Sequence, residues 1–229
     1  MPASSSPTLV TGLLGRPIDQ LAEIIRQSAQ ARPEGVALRD RDRETTFAQV
    51  DARSSRFAQV LLAQGVVPGD RVALVCSNNP YFLEILYGAS KVGAIVAPIN
   101  TRLAPDEVTA LLGVCQPRVL FIGPDNTAAT PPQHVLDTVH CTLDASAYEA
   151  LIADQPDTDP GYRTSSEDTG VILFSSGTTG LPMGSERSAA NFGASMIGEF
   201  ADATSVEGTA VTMAPVPFFH VTGMNALLS

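Results

Sequence analysis

The sequence predicts a doubly wound α/β fold with mainly parallel sheets, and three observations carry that expectation. RVALVC (71–76), AIVAPI (94–99) and RVLFIG (118–123) are apolar on both faces, as strands are when helices cover both sides of a parallel sheet. NPYFLEILYGASKVG (79–93) and APDEVTALLGVC (104–115), which lie between those runs, have helical periodicity. The joints are short, so strand, helix, strand, helix and strand follow directly, as in doubly wound proteins.

The remaining elements extend this pattern. IDQLAEIIRQSAQA (18–31) places Ile18, Leu21, Ile25 and Ala29 on one helical stripe, with Asp19 near the positive end of the dipole. VALRD (36–40) and ETTF (44–47) alternate as short strands around a charged turn. Val50, Ser54, Phe57 and Leu61 then form one face of a helix that stops at Gly65, and Pro68-Gly69-Asp70 is a turn. Pro105 and two acids open the 104–115 helix. Residues 124–145 give only a weak strand near Val139–Leu143, and SAYEALIAD (146–154) is a short helix. QPDTDPGYRTSSED (155–168) is acidic, carries Pro and Gly and lacks apolar periodicity, which reads as a linker. TGVILF (169–174), a small-residue loop, a helix from Ser188 to about Phe200 and a strand TAVTMA (209–214) follow. The division expected is a tail 1–16, a first α/β subdomain 17–154, the linker 155–168 and the start of a second α/β subdomain 169–229. VTGMNALLS begins an apolar helix with no closing turn, so the expectation is that the chain stops in mid-domain.

Composition narrows the function classes. With 229 residues and 44% hydrophobic content the chain buries a real core, and a net charge of −10 with a single lysine, Lys91, argues against nucleic acid as a partner. Cys76, Cys115 and Cys141 are widely spaced without a CxxC, the pattern of reduced, buried thiols rather than a zinc site or disulfide framework. No run approaches the length of a membrane span and the N-terminus lacks a signal-peptide pattern, so a cytoplasmic protein is expected.

The chemistry centres on VILFSSGTTGLPMGSERS (171–188), where an apolar strand runs into a Ser/Gly/Thr loop. Backbone N–H groups of such a loop turn inward together and bind phosphate oxygens, and hydroxyls add donors. The glycine register fits neither a Walker A loop nor a dinucleotide fingerprint, and no G-x-S-x-G elbow is present. Taken alone, the loop is also compatible with a polar turn that holds no ligand.

SSGTTGLPM (175–183) resembles the phosphate-loop motif of the AMP-forming adenylating enzymes, in which SSGTTGLPK is a typical form. ETTFAQV (44–50), GASKVGAIVAPINTRL (88–103) and PVPFFHVTGM (215–224) resemble, in the right order, that superfamily's "LTYAEL", "KxGAxxxPxN" and "PLFHxxG" stretches. The Asn-Thr-Arg-Leu and Phe-Phe-His segments are more similar to acid–CoA ligases than to peptide-synthetase adenylation domains. The resemblance implies a partial large N-terminal domain of an adenylate-forming enzyme, with a small mobile domain to follow. It also implies a two-step reaction in which ATP and a fatty or aryl acid give an acyl-adenylate and pyrophosphate, and CoA thiol then attacks the adenylate, with Mg2+ as cofactor.

Ser175, Ser176, Gly177, Thr178, Thr179 and Gly180 would then hold the β- and γ-phosphates, with Met183 at the loop's end. Phe219, His220, Val221 and Met224 would line the acyl and adenylate pocket, and His220 would orient the carboxylate or α-phosphate. Read without the motif, a lone histidine is more often structural. No metal-ligating residue is assigned, His134 and His140 match nothing and are read as surface residues, and a homodimer is one option for the assembly.

Two departures qualify the implied function. The superfamily's later motifs have no counterpart in these residues, so the expectation is an N-terminal fragment that does not complete the reaction alone. Met183 stands where the family has lysine, and an apolar thioether cannot donate to phosphate. Arg187, four residues on, is the candidate for a substitute cation from a flexible loop. A non-catalytic nucleotide- or acyl-binding relative is therefore the second reading.

Overall fold

The computed structural model describes residues 15–175, 183–201 and 213–228. Helix α1 (Ala22–Ala31) is followed by the antiparallel pair β1 (Val36–Asp40) and β2 (Arg43–Thr46). Helix α2 (Phe47–Ala63) starts where Thr46 ends that pair. The Thr46 hydroxyl accepts from the Gln49 N–H at 3.2 Å and the Gln49 side chain accepts from the Thr46 N–H at 2.9 Å, so two donors left unpaired by the first helical turn are satisfied reciprocally.

The central sheet is assembled from β3 (Arg71–Val75), α3 (Pro80–Ser90), β4 (Ile95–Ile99), α4 (Pro105–Cys115) and β5 (Val119–Ile122), the elements expected from their periodicity. A short helix α5 (Gln133–Leu136), strand β6 (Cys141–Leu143) and helix α6 (Ala145–Ala153) follow, then β7 (Thr169–Ser175), β8 (Met183–Ser188), α7 (Ala189–Ala201) and α8 (Val221–Leu228). The strand order is β6-β5-β3-β4-β7-β8, parallel throughout except for β8, which runs antiparallel to β7.

Strand alternation explains why these strands read as apolar on both faces. Val72, Leu74, Val96, Val119, Phe121, Val171 and Leu173 face one core, filled by Phe57, Leu61, Phe82 and Tyr148 from α2, α3 and α6. Ala73, Val75, Ala97, Ile99, Leu120 and Ile122 face the other, closed by Val108, Leu111 and Leu112 of α4. Helices α2 and α3 approach closely at Gly88, where a Cβ would lie 2.8 Å from the Ser54 carbonyl oxygen.

Several sequence expectations change. TGVILF does not open a separate sheet: as β7 it pairs with β4, Val96 opposite Val171, so one sheet continues across the stretch read as a linker. Residues 155–168 form no helix or strand, yet they are fastened to the body. Asp159 takes two hydrogen bonds from Arg26, at 2.6 and 3.0 Å, and Gln59 donates to the Thr158 carbonyl at 2.8 Å. The first helix begins at Ala22 rather than Ile18, because the residues before it hold the same segment. Gln20 donates to the Tyr162 carbonyl and accepts from the Thr164 N–H, and the Asp19 carbonyl accepts from the Thr164 hydroxyl. Residues 183–188, read as irregular, are an edge strand whose polar, charged sequence suits an exposed sheet margin. Of TAVTMA, residues 209–212 lie outside the described residues, and Met213 and Ala214 are not in a strand. His134 and His140 are exposed, and Cys76 and Cys115 are buried free thiols. Among the described residues no helix is long and apolar enough to cross a membrane.

Lys91 ends the α3 region with no exposed surface. An ammonium has three donors, and here they go to the Asp51 carbonyl at 2.9 Å, the Asp51 carboxylate at 2.6 Å and the Ser55 hydroxyl at 2.7 Å, with the Asp159 carboxylate 3.8 Å away. Burial pulls the ammonium below its ordinary value and the two carboxylates push back. Burial alone would raise the Asp159 carboxyl, but the Arg26 guanidinium and the Gly161 N–H hold it below its ordinary value. The unfolded chain therefore binds a proton at Asp159 more readily than the native one, and the contribution of this contact is full above the ordinary carboxyl value and lost as pH falls through the depressed one. Asp159→Asn is expected to lower Tm at neutral pH by about 4–8 °C. Urea midpoints of the two proteins should converge as pH drops below the ordinary aspartate range, and a difference independent of pH would contradict the assignment.

Candidate functional site at the carboxyl edge of the sheet

Five parallel strands place their carboxyl ends on one edge, the side on which open α/β sheets bind ligands. At β3 the chain turns through Cys76-Ser77-Asn78-Asn79. The Ser77 N–H and hydroxyl both donate to the Asn126 side-chain oxygen, at 2.8 and 3.1 Å, which ties this turn to the one after β5. The Cys76 thiol donates to the Asn79 side chain at 3.2 Å, and burial pushes it up to about 12, so it is no nucleophile near neutral pH.

Asn78 holds the segment that leads to His220. Its Nδ2 donates to the Ala214 carbonyl at 3.3 Å and the Val216 carbonyl at 2.9 Å, while its Oδ1 accepts from the Phe218 N–H at 2.8 Å. Phe218 is buried, its ring 5.3 Å from that of Phe82 and inclined at 63°. Gly223 fixes the angle of α8: a Cβ there would meet the Pro217 carbonyl oxygen at 2.1 Å, so only glycine lets the helix lie against the turn. His220 immediately precedes this helix. Its carbonyl accepts from the Met224 N–H at 2.9 Å, and its Nδ1 accepts from the Thr222 N–H at 3.4 Å. A neutral imidazole accepting at Nδ1 carries its proton on Nε2, which leaves a donor suited to an anionic oxygen. The His220 side chain is exposed, and Phe219 and Val221 are half-buried. Met224 has no exposed surface and lies in the core with Phe218 and Leu228, beneath the edge rather than on it.

At β7 the ladder runs to Ser175, whose cross-strand partner is Met183, so the two flank residues 176–182. Ser176, Gly177, Thr178, Thr179 and Gly180, the expected phosphate ligands, lie outside the described residues. Met183 is 63% exposed. Arg187 does not belong to a flexible loop: it is a rung of β8 opposite Val171. Four residues of strand put it about 13 Å from Met183, farther than its side chain can span to take over a contact there.

A cavity of about 340 Å3 lies at the opposite edge, at the amino ends of β4 and β7, lined by Gln20, Ile95, Tyr162 and Gly170 among others. The charged groups in its wall are Asp19 and Asp168, which would repel phosphate. Among the described residues, no three or more His, Cys, Asp or Glu side chains converge as metal ligands, so they do not fit a magnesium site formed by protein groups alone.

A family model described as AMP-binding enzyme matches residues 25–229. The long-chain-fatty-acid–CoA ligase FadD13 of Mycobacterium tuberculosis is 34% identical over 201 residues, which are 82% of this chain and 38% of the relative. The fatty acid–[acyl-carrier-protein] ligase ScoC of Streptomyces coeruleorubidus is 32% identical over 211 residues, 86% of this chain and 38% of the relative. The crystal structure of the N-terminal domain of FACL13 from M. tuberculosis matches with a TM-score of 0.77 at 29% identity, over 92% of this chain and 54% of that one. The chain spans about two fifths of the length of the curated relatives it matches.

Gly223→Ala should drive α8 off the Val216–Pro217 turn, destabilising the fold by about 1–3 kcal/mol as overpacking does. Thermal unfolding measures this, and an unchanged Tm would show that α8 tolerates a shift away from Pro217.

Proposed function

The chain belongs to the family of AMP-binding enzymes, and from that membership we propose that the protein activates a fatty or aryl carboxylic acid with ATP and passes the acyl group to CoA. In the first step a carboxylate oxygen attacks the α-phosphorus and pyrophosphate leaves. In the second, the CoA sulfur attacks the acyl carbon, the bond from that carbon to the phosphate oxygen breaks, AMP leaves and the thiol proton passes to solvent. The observation that carries the reading is that Ser175 and Met183, the two ends of the SSGTTGLPM sequence, pair at the carboxyl end of β7, on the sheet edge that also presents His220.

Within this reading the N–H and hydroxyl groups of Ser175, Ser176, Gly177, Thr178, Thr179 and Gly180 hold the β- and γ-phosphates and stabilise charge moving onto pyrophosphate. The Nε2–H of His220 orients the carboxylate or the α-phosphate, and Phe219 and Val221 line the acyl path. Magnesium, bound through the nucleotide, would neutralise phosphate charge. Relatives named for long-chain fatty acids, indoleacetate and ferulate support an acyl or aryl acid. ScoC, named for a carrier protein, makes a carrier-protein thiol the competing acceptor.

The second reading, a relative that binds nucleotide or acyl-adenylate without turnover, is favoured by one feature: Met183 stands uncharged and exposed at the loop's end. A lysine–phosphate contact contributes about 1.5–3 kcal/mol, so its absence weakens ATP or transition-state binding by about one to two orders of magnitude. In the natural gene product that contains this sequence, Met183→Lys is expected to raise the rate of pyrophosphate release or lower the ATP KM about tenfold or more, with little change in Tm. Arg187→Ala should not alter the ATP KM. An unchanged rate in Met183→Lys would mean that backbone and hydroxyl groups suffice. ATP binding without pyrophosphate release, across fatty, aryl and short acids, would establish the second reading.

A further inference from the structure

Asn78 reads in the sequence as one of two asparagines before Pro80, the composition of an ordinary helix start. The structure gives it another task. All of its hydrogen bonds described above leave its own element and cross to residues 214–218, a sequence separation of 136 to 140. The pattern allows one orientation of the amide, because the two carbonyls require the NH2 group and the Phe218 N–H requires the oxygen.

Side-chain packing of Phe218 on Phe82 holds the segment it grips, but among the described residues its main chain has no ladder. Pro215 and Pro217 have no N–H, so no regular ladder can form through them, and the Val216 and Ala214 carbonyls point at Asn78. The turn then closes through the His220 N–H on the Pro217 carbonyl at 3.0 Å, and His220 immediately precedes α8. Asn78 is itself fixed from behind, since the preceding Ser77 is bound twice by Asn126 of the turn after β5. A chain of polar contacts thus runs from the end of β5, through the end of β3, to the backbone two residues before His220.

We propose that Asn78 is a positioning residue for the acid site: through three main-chain hydrogen bonds it sets the approach to His220 and so the placement of the imidazole, without touching substrate. This rests on the acid-activating reading above. Replacing Asn78 by alanine removes all three bonds from an exposed side chain, so the protein still folds. Asn78→Asp keeps an acceptor for the Phe218 N–H and loses both donors.

The test pairs two measurements on the natural gene product containing this sequence. Hydrogen exchange resolved within 214–220 is expected to speed up at least tenfold at the Phe218 amide in Asn78→Ala, and less in Asn78→Asp. Steady-state pyrophosphate release, with dodecanoate and benzoate as probe acids, is expected to show kcat/KM for the acid falling about tenfold in Asn78→Ala, while the ATP KM stays within about twofold and Tm is little changed. A general structural defect would move the ATP KM and Tm as well. Phe218 exchange that is unchanged in Asn78→Ala overturns the proposal, as does faster exchange with unaltered kcat/KM for the acid. If the wild type turns over neither acid nor others of the fatty and aryl classes, the acid-activating reading fails, and the Phe218 exchange rate still decides whether Asn78 holds the segment.

Discussion

The seating of β7 against β4 is the contact on which the rest of the arrangement depends. Val96 and Val171 are paired, both fully buried, and from that rung β7 reaches the carboxyl edge at Ser175. Without it Ser175 and Met183 would not share an edge with the 214–220 segment. The preceding chain must come from β6, at the far margin of the sheet, across α1 and α2 to reach this slot. It does so as an extended segment rather than a helix, and side chains supply the bonds a helix would have made internally. Gln20, Arg26 and Gln59 bind its backbone or its carboxylate, and Lys91 lies beneath it with every donor used.

Buried charge at this crossover has a function beyond adhesion. Lys91, Asp51, Asp159 and Arg26 connect α1, α2, the end of α3 and the crossing segment, so these elements cannot shift independently without leaving a charge unpaired in low dielectric. A second network, in which Arg53 bridges Glu84 and Glu149 while the Tyr148 hydroxyl donates to Glu84, does the same for α2, α3 and α6. Burial raises the Glu84 carboxyl against the pull of Arg53 and Tyr148. Both networks lie on the helical face behind the sheet, and the carboxyl edge is left to loops.

What was legible in the sequence follows from where hydrophobic periodicity operates. Strands β3, β4 and β5 announced themselves because alternate residues feed two cores, and α4 because Pro105 and its acids mark a helix start. Strand β8 left no signal: Gly184, Ser185 and Glu186 are poor strand formers, and pairing with the apolar β7 overrides their preference. The 155–168 stretch read as a linker because its attachments use Asp159 and main-chain carbonyls, which have no period. Among the candidate site residues, the motifs picked out His220, Ser175 and Met183, which the structure brings to the carboxyl edge, and also Met224, which helix geometry turns into the core. Asn78 was missed because an asparagine two residues ahead of a proline, next to the N-cap residue Asn79, carries no sequence mark of a clasp on a distant segment.

On the proposed reading, nucleotide binds at the carboxyl edge of β7 and not in the cavity at the opposite edge, whose wall carries Asp19 and Asp168. A titration of the protein with ATP and magnesium, followed by backbone amide chemical shifts, distinguishes the two edges directly. The account predicts perturbations at Ser175, Met183, Phe219 and His220 with little change at Leu21, Gly93 and Gly170; shifts concentrated at Leu21, Gly93 and Gly170, with Ser175 and His220 unmoved, would contradict it.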